Sequence, residues 1–266
     1  MSIELIDFLF ILLGIFSGLL GGLLGIGGGV VTVPILYFLF QYTPPFKGEI
    51  MQVAVSTSLA TGFVTSAVAT FVQAKKKTIV LAAIQKLAPG LIIGCILGSL
   101  LGHYLPSEIL SKIFGVMAIL IGIYFFFPKL PSLYISSKLN ATLSFFGLLI
   151  GSLSSLLGIG GGSLAFPVLL GYQMPAKNAA ATSSASTLMT CLLGSATYLI
   201  IAWDQPDLPN TFGYVDLPAF AFISLGSILS APLGVKLSHT LNVSFIKQIF
   251  GGSLALVGLS MLYRLS

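Results

Sequence analysis

The chain alternates long apolar stretches with short polar breaks. In the first half the apolar stretches run over about 6–24, 30–42, 50–73, 79–104 and 109–128, and in the second over about 139–157, 163–173, 178–203, 216–237 and 244–264. Stretches of about 20 apolar residues match a hydrocarbon core about 30 Å thick and predict membrane-spanning helices. The second stretch of each half is shorter and follows G-I-G-G-G, at Gly25–Gly29 and again at Gly158–Gly162. Glycine is a poor helix former and a permissive backbone, so each copy predicts a break between two helical arms. A return arm of about 12 residues reaches only about 18 Å, which leaves the glycine tip inside the membrane.

Composition sharpens this picture. The 266 residues are 56% hydrophobic and 7% charged, with a mean hydropathy of +1.05, against about 25% charged residues in soluble chains. Such a chain cannot cover a water-facing globule, so soluble enzymes, nucleic-acid binders and disordered proteins are excluded in favour of an all-α polytopic membrane protein. The formal charge of +5 reads as lysines anchoring one membrane face rather than as a polyanion-binding patch. Cys95 and Cys191 lie inside apolar stretches, and their spacing indicates neither a disulfide framework nor a metal site. No cofactor is expected. Glu4 and Asp7 stand where a secretory signal needs positive charge, so the first apolar run is expected to be retained as a helix.

The chain also repeats itself. L-L-G-I-G-G-G occurs at Leu23–Gly29 and at Leu156–Gly162; Gly14, Gly18 and Pro34 recur as Gly147, Gly151 and Pro167. With a seven-residue contraction, Ser56, Thr57, Ser58 and Thr61 correspond to Thr182, Ser183, Ser184 and Thr187. Leu101-Gly102 and Ile113–Gly115 recur as Leu233-Gly234 and Ile249–Gly251. The expected organisation is therefore a first repeat over 1–128, a cytoplasmic linker over 129–138 and a second repeat over 139–266.

Lysine and arginine placement selects the topology. If each glycine-interrupted stretch turns back as a hairpin, nine basic residues face the cytoplasm and three face out, whereas a single crossing leaves seven against five. The hairpin arrangement also puts all seven acids, including Asp204, Asp207 and Asp216, at the outer side. Five segments per half is an odd number, so the two halves would be inverted in the membrane, as in many secondary transporters. Both termini are then extracytoplasmic.

Two constellations carry candidate chemistry. Gly27, Gly28, Gly29 and their counterparts Gly160, Gly161, Gly162 allow tight turns that leave N–H groups exposed at a helix start, a natural anion cradle. Irregular backbone at that depth survives only when buried in protein or lining a wet cavity. The hydroxyls of Ser56, Thr57, Ser58, Thr61, Thr182, Ser183, Ser184 and Thr187 offer donors to an oxyanion without placing a cation in the membrane. Thr57 and Thr61, four apart, share one helix face. Bland readings stand beside both, namely a small-residue hairpin and hydroxyls bonded to their own helices.

Other polar residues read more simply. Gly14, Gly18 and Gly22, like Gly94, Gly98 and Gly102, repeat every fourth residue, a spacing that brings helices close together. His103 and His239 fall near loop ends, and Trp203 suits an interfacial aromatic belt. No carboxylate is expected deep in the spans, which argues against an acid-based proton or sodium pump. Ser99 and His103 are four apart but lack a third orienting residue, so a membrane-embedded hydrolase is disfavoured.

The doubled L-L-G-I-G-G-G with its downstream proline, each copy followed by a hydroxyl-rich helix (A-V-S-T-S-L and A-A-T-S-S-A), resembles the TauE/SafE sulfite exporter family across almost the whole chain. The second copy departs from the first, with Ser163-Leu164-Ala165-Phe166 in place of Val30-Val31-Thr32-Val33. The resemblance implies a plasma-membrane permease for sulfite, organosulfonates or related sulfur oxyanions. Its partners would be a small anion and the lipid bilayer, with no nucleic acid and with oligomeric state left open. A passive anion channel could use the same donors. An inside-negative potential of about 150 mV favours exit of a divalent anion by about 7 kcal/mol, so export needs no coupling ion.

Overall fold

A computed structural model describes residues 3–25, 27–41, 48–127, 140–203, 210–238 and 243–264. These residues form ten helices: α1 (Ile3–Leu24), α2 (Gly29–Gln41), α3 (Ile50–Lys75), α4 (Leu81–Tyr104), α5 (Ser107–Phe126), α6 (Asn140–Leu157), α7 (Gly162–Gly171), α8 (Ala176–Ile201), α9 (Leu217–Leu237) and α10 (Val243–Arg264). Each coincides with one apolar stretch to within a few residues. Two short strands, β1 (Thr211–Phe212) and β2 (Val215–Asp216), pair antiparallel ahead of α9 and were not expected. Gly213, at φ 57°, takes the first position of their two-residue turn, where a positive φ is needed. The 129–138 linker, His239, Asp204 and Asp207 lie outside the described residues.

Six helices, α1, α3, α4, α5, α8 and α9, are long and apolar enough to cross a bilayer. Their outward faces carry large apolar side chains such as Phe8, Phe16, Ile93, Leu120 and Leu229, as a lipid-facing surface requires. The protein is thus an all-α multi-pass membrane protein.

Helix pairing crosses between the halves of the chain. α1 packs along α9 and α6 along α4; α5 packs on α10; α3 and α8 cross at the centre, with α9 also against α3 and α4 also against α8. Two of these pairs, α1 with α9 and α4 with α6, have glycine at every fourth position, as the packing reading expects, while α5 and α10 meet through glycines seven apart, Gly115 and Gly122 against Gly258 and Gly251. Gly14, Gly18 and Gly22 meet the α9 backbone at Ile223, Ser227 and Ala231. Gly90, Gly94 and Gly98 meet the α6 backbone at Ser144, Leu148 and Ser152. Without water to drive apolar groups together inside a bilayer, such close backbone approach supplies the dispersion energy that holds helices in contact. Gly102 departs from the row, because the Tyr198 hydroxyl fills the space its side chain would take.

Candidate functional site

The two glycine turns are brought together at the centre, against α3 and α8. Gly25, Gly27 and Gly28 all have positive φ (72°, 76° and 75°), and Gly158, Gly160 and Gly161 repeat this (71°, 80° and 73°). The sequence signal was therefore specific: side-chain-bearing residues enter this region only with strain. Gly29, the first residue of α2, abuts the Gly158 carbonyl of the other turn. At the helix starts the turn carbonyls take up several amides: Gly162 N–H donates to Gly160 at 2.8 Å, Val31 N–H to Gly28 at 3.0 Å and Leu164 N–H to Gly161 at 3.2 Å.

Hydroxyls from the two central helices fasten the turns. Ser58 Oγ donates to the Gly158 carbonyl at 2.9 Å, whereas Ser183 Oγ lies 3.4 Å from the Gly25 carbonyl and nearer, at 3.0 Å, to the Ala180 carbonyl of its own helix. Thr190 Oγ1, which the sequence reading passed over, donates to the Gly160 carbonyl at 3.0 Å. The first half thus ties the second turn through Ser58, α8 ties the turn of its own half through Thr190, and Ser183 and Thr187 only border the first turn.

Two further bonds close the ends of the central pair. Thr57 Oγ1 accepts from the Asp216 N–H at 2.9 Å, just before α9, and Thr182 Oγ1 accepts from the Val80 N–H at 3.0 Å, just before α4. The matched roles correct the alignment of the halves. Thr57 answers to Thr182, Ser58 to Ser183 and Thr65 to Thr190, so the contraction is eight residues rather than seven. Matching hydroxyl types alone slipped by one position, and one position on a helix is a rotation of about 100°. Thr65 and Thr190 were visible as a pair only in the corrected register.

The remaining candidates are buried but turn inward on their own helices. Thr61 Oγ1 donates to the Ser58 carbonyl at 3.1 Å, Ser184 Oγ to Ala180 at 3.0 Å, and Thr187 Oγ1 to Ser183 at 2.9 Å. Thr57 and Thr61 share a helix side in spacing but not in purpose, since Thr61 is committed to a carbonyl. Among the described residues, the O–H hydrogens of Ser56, Thr57 and Thr182 meet no acceptor, and Ser154 and Ser163 are likewise buried hydroxyls without partners. Ser163, second in α7, is one of the residues by which the second motif departs from the first.

Two cavities of about 280 and 200 Å³, one lined by Leu9, Leu12 and Phe16, the other by Val30, Pro34 and Phe250, have none of the candidate hydroxyls or turn glycines in their walls. Ser99 Oγ points to the Gly194 carbonyl and His103 Nδ1 to the Tyr214 hydroxyl, so the spacing that hinted at a hydrolase pair does not make one. Among the described residues no cluster of His, Cys, Asp or Glu could hold a metal ion. Cys95 and Cys191 are free and buried.

One carboxylate is less exposed than its loop position suggested. Asp216, 7% exposed, caps α9 by accepting from the Ala219 N–H at 2.8 Å. Burial pushes its carboxyl up to about 6, against the pull of that amide and with a contribution from Asp7.

Comparison with known proteins agrees with this architecture. The chain is 33% identical over 258 residues to a probable membrane transporter protein of Methanocaldococcus jannaschii, covering 96% of this chain and 94% of that one. It is 30% identical over 256 residues to a probable membrane transporter protein of Haemophilus influenzae, covering 96% and 97%. A further such protein, from Bacillus subtilis, is 29% identical and aligns over 96% of each chain. No solved structure matches. The family model of the sulfite exporter TauE/SafE matches residues 10–261, and the chain, a membrane transporter by that kinship, belongs to the TauE/SafE family.

Proposed function

We propose that this protein is a plasma-membrane permease that exports sulfite, organosulfonates or related sulfur oxyanions by alternating access. Its halves, 1–128 and 139–266, act as inverted five-segment repeats joined by a cytoplasmic 129–138 linker, with both termini extracytoplasmic. The observation that carries this reading is the exchange of hydrogen bonds between the halves, Asp216 to Thr57 and Val80 to Thr182 at the ends and Ser58 to Gly158 at one turn, with Ser183 set against Gly25 at the other. The exchanged pairing of α1 with α9 and α6 with α4 supports it. An arrangement with equivalent contacts on both sides has two near-equal ways to open, which is what alternating access needs.

The anion site is the junction of the turns. Amides at the starts of α2 and α7, apart from Gly162, Val31 and Leu164, whose N–H groups bond the turn carbonyls, and the uncommitted hydroxyls of Ser56, Thr57 and Thr182 supply neutral donors, joined by Ser163 at the start of α7. The turn glycines Gly27, Gly28, Gly29, Gly160, Gly161 and Gly162 shape the junction. Ser58, Thr61, Ser183, Ser184 and Thr187 hold its walls. Neutral donors suit an anion that must leave again, and they avoid the cost of a buried cation. Among the described residues, Asp7, Glu49, Glu108 and Asp216 all stand at or near helix ends, so the membrane potential is the driving force.

Liposomes loaded with sulfite test this. A potassium-diffusion potential, inside negative, is expected to accelerate efflux, and its collapse to slow it. Thermal-shift measurements with sulfite, sulfate, thiosulfate, sulfoacetate and taurine rank the substrates. Efflux that follows a sodium or proton gradient at zero potential, or no stabilisation by any of these anions, refutes the proposal.

A further inference from the structure

The β1–β2 hairpin closes one end of the central helix pair over a carboxyl that has no cation beside it. Tyr214 and Val215, 1% and 4% exposed, seat the hairpin in the protein. Two bonds hold it there: the Asp216 N–H donates to Thr57 Oγ1 at 2.9 Å, and the Leu217 N–H to the Asn210 carbonyl at 3.0 Å. The residue that ties the hairpin to α3 is therefore the one that carries the buried carboxyl. Asp216 Oδ1 accepts from the Ala219 N–H at 2.8 Å, and among the described residues no lysine or arginine pairs with it, the ion pair being that of Lys112 with Glu108. One amide and the start of α9 offset only part of the cost of withdrawing a charge from water.

The other closure is built without charge. Thr182 Oγ1 accepts from the Val80 N–H at 3.0 Å, and Asn178 Nδ2 donates to the Thr78 carbonyl at 3.0 Å. An ionisable group that must dry as the bond forms is found at the hairpin closure and not at this one.

We propose that Asp216 is a proton-operated latch: neutral, it lets the hairpin stay closed on Thr57, and ionised, it draws water under the hairpin and releases it. Closure and proton binding favour each other, because a protonated carboxyl tolerates the dry, closed arrangement and a carboxylate prefers the open, hydrated one. Burial pushes the carboxyl of the closed state up to about 6, against the pull of the Ala219 amide and with a contribution from Asp7. A hydrated aspartate titrates at about 4, so closure should be about tenfold more favoured at pH 5 than at pH 7. A proton that binds and leaves at one face carries no energy across the membrane, so the latch regulates transport without driving it.

Among the described residues, the other ionisable groups around the hairpin are Asp7 of α1, Glu49 before α3, His103 of α4, Tyr198 of α8 and Tyr214 of the hairpin itself. The Tyr214 hydroxyl, 3.0 Å from His103 Nδ1, is pushed up to about 12 by burial and by the charge of Glu49, so it stays protonated between pH 5 and 7.

Hydrogen exchange at the Asp216 and Leu217 amides, corrected for the intrinsic pH dependence of exchange, reads closure in protein reconstituted into neutral-lipid nanodiscs without substrate. In the wild type, protection should rise about tenfold from pH 7 to pH 5. Asp216→Asn, which keeps an oxygen for the Ala219 amide, should show no such rise. His103→Gln and Glu49→Gln should keep it. Asp7→Asn should keep it with a midpoint at lower pH, because a like charge has been removed. No rise in the wild type, a rise that survives in Asp216→Asn, or one that vanishes in His103→Gln overturns the latch.

The consequence for transport rests on the proposed function and is measured separately. With equal pH on both sides and a fixed potential, the ratio of wild-type to Asp216→Asn sulfite efflux should rise by about threefold or more from pH 5 to pH 7. Taking the ratio cancels the titration of sulfite itself. A constant ratio, with exchange behaving as expected, overturns the control of transport and leaves the latch standing. No efflux from either protein refutes the proposed function, while the latch is still decided by exchange.

Discussion

The two glycine turns have matching backbone angles but are held in opposite ways. In the first turn the constraint is steric: a Cβ on Gly28 would come within 2.6 Å of the Ser17 carbonyl oxygen, and one on Gly25 would strike the Ala180 carbonyl, both rigid backbone. Its hydrogen bonds are long, 3.4 Å from Ser183 and 3.5 Å from Thr187 to the Gly25 carbonyl. In the second turn the bonds are short, 2.9 Å from Ser58 to Gly158 and 3.0 Å from Thr190 to Gly160. There a Cβ on Gly161 would meet the Thr190 side chain, at 2.7 Å from Oγ1. Both turns meet backbone at their first glycine, Gly25 at Ala180 and Gly158 at Val55, so the contrast lies at the third, where Gly28 faces rigid backbone and Gly161 faces a side chain.

The largest effect that sharpens this contrast is expected at the glycines. Gly28→Val should cost more than about 4 kcal/mol, since a β-branched residue at positive φ is strained and the Ser17 carbonyl cannot move aside. Folded protein recovered after detergent extraction, followed by size-exclusion chromatography, should largely disappear. Gly161→Val should cost about 2–3 kcal/mol, from the same backbone strain plus the displaced Thr190 bond, and leave measurable folded protein. Equal losses from the two variants would break the comparison.

The ends of the central helices differ as well. The Val80–Thr182 closure carries no charge of its own, whereas the Asp216–Thr57 closure adjoins a buried carboxylate. The Asp216 carboxyl is raised when folded, so the folded protein binds its proton more tightly, and stability contributed by that proton is gained as pH falls from about 6 toward 4. Asp216→Asn keeps an oxygen for the Ala219 amide without the charge. The variant should be more stable than the wild type at pH 8, by on the order of 2 kcal/mol. The gap in melting temperature should narrow as pH falls to 5. A constant gap across pH would remove the carboxylate from the explanation.

The smallest effects are at the hydroxyls and should run opposite to the glycines. Ser58→Ala should lose about 1 kcal/mol, the usual net worth of a buried hydrogen bond with a good distance, and Ser183→Ala only a few tenths. Chemical denaturation or melting of the two single variants checks the order. A larger loss at Ser183 would mean that the first turn depends on hydroxyls after all.

Much was legible without coordinates because the bilayer imposes simple rules on a chain. Every backbone polar group in the hydrocarbon must be paired within its own segment, so apolar length alone marked the ten helices. The positive φ values demanded at Gly27, Gly28, Gly160 and Gly161 marked both turns. The 211–216 strands escaped notice because they are only two residues each and carry no alternating pattern for periodicity to register.

The sequence by itself determined the membrane class, the helices and the residues on which the two glycine turns are built, since these follow from local hydrophobicity and backbone sterics. Tertiary structure alone decided what those residues touch. Whether Thr57 donates to an anion, accepts from Asp216 or bonds its own helix is the same letter in the sequence. The choice depends on which backbone group, 159 residues away along the chain, is carried to it. The same holds for His103 and Tyr214, which no spacing joins. Their bond exists because the end of α4 and the hairpin meet at one face, and hydrogen bonds of about 3 Å reward only groups that packing has already brought within reach.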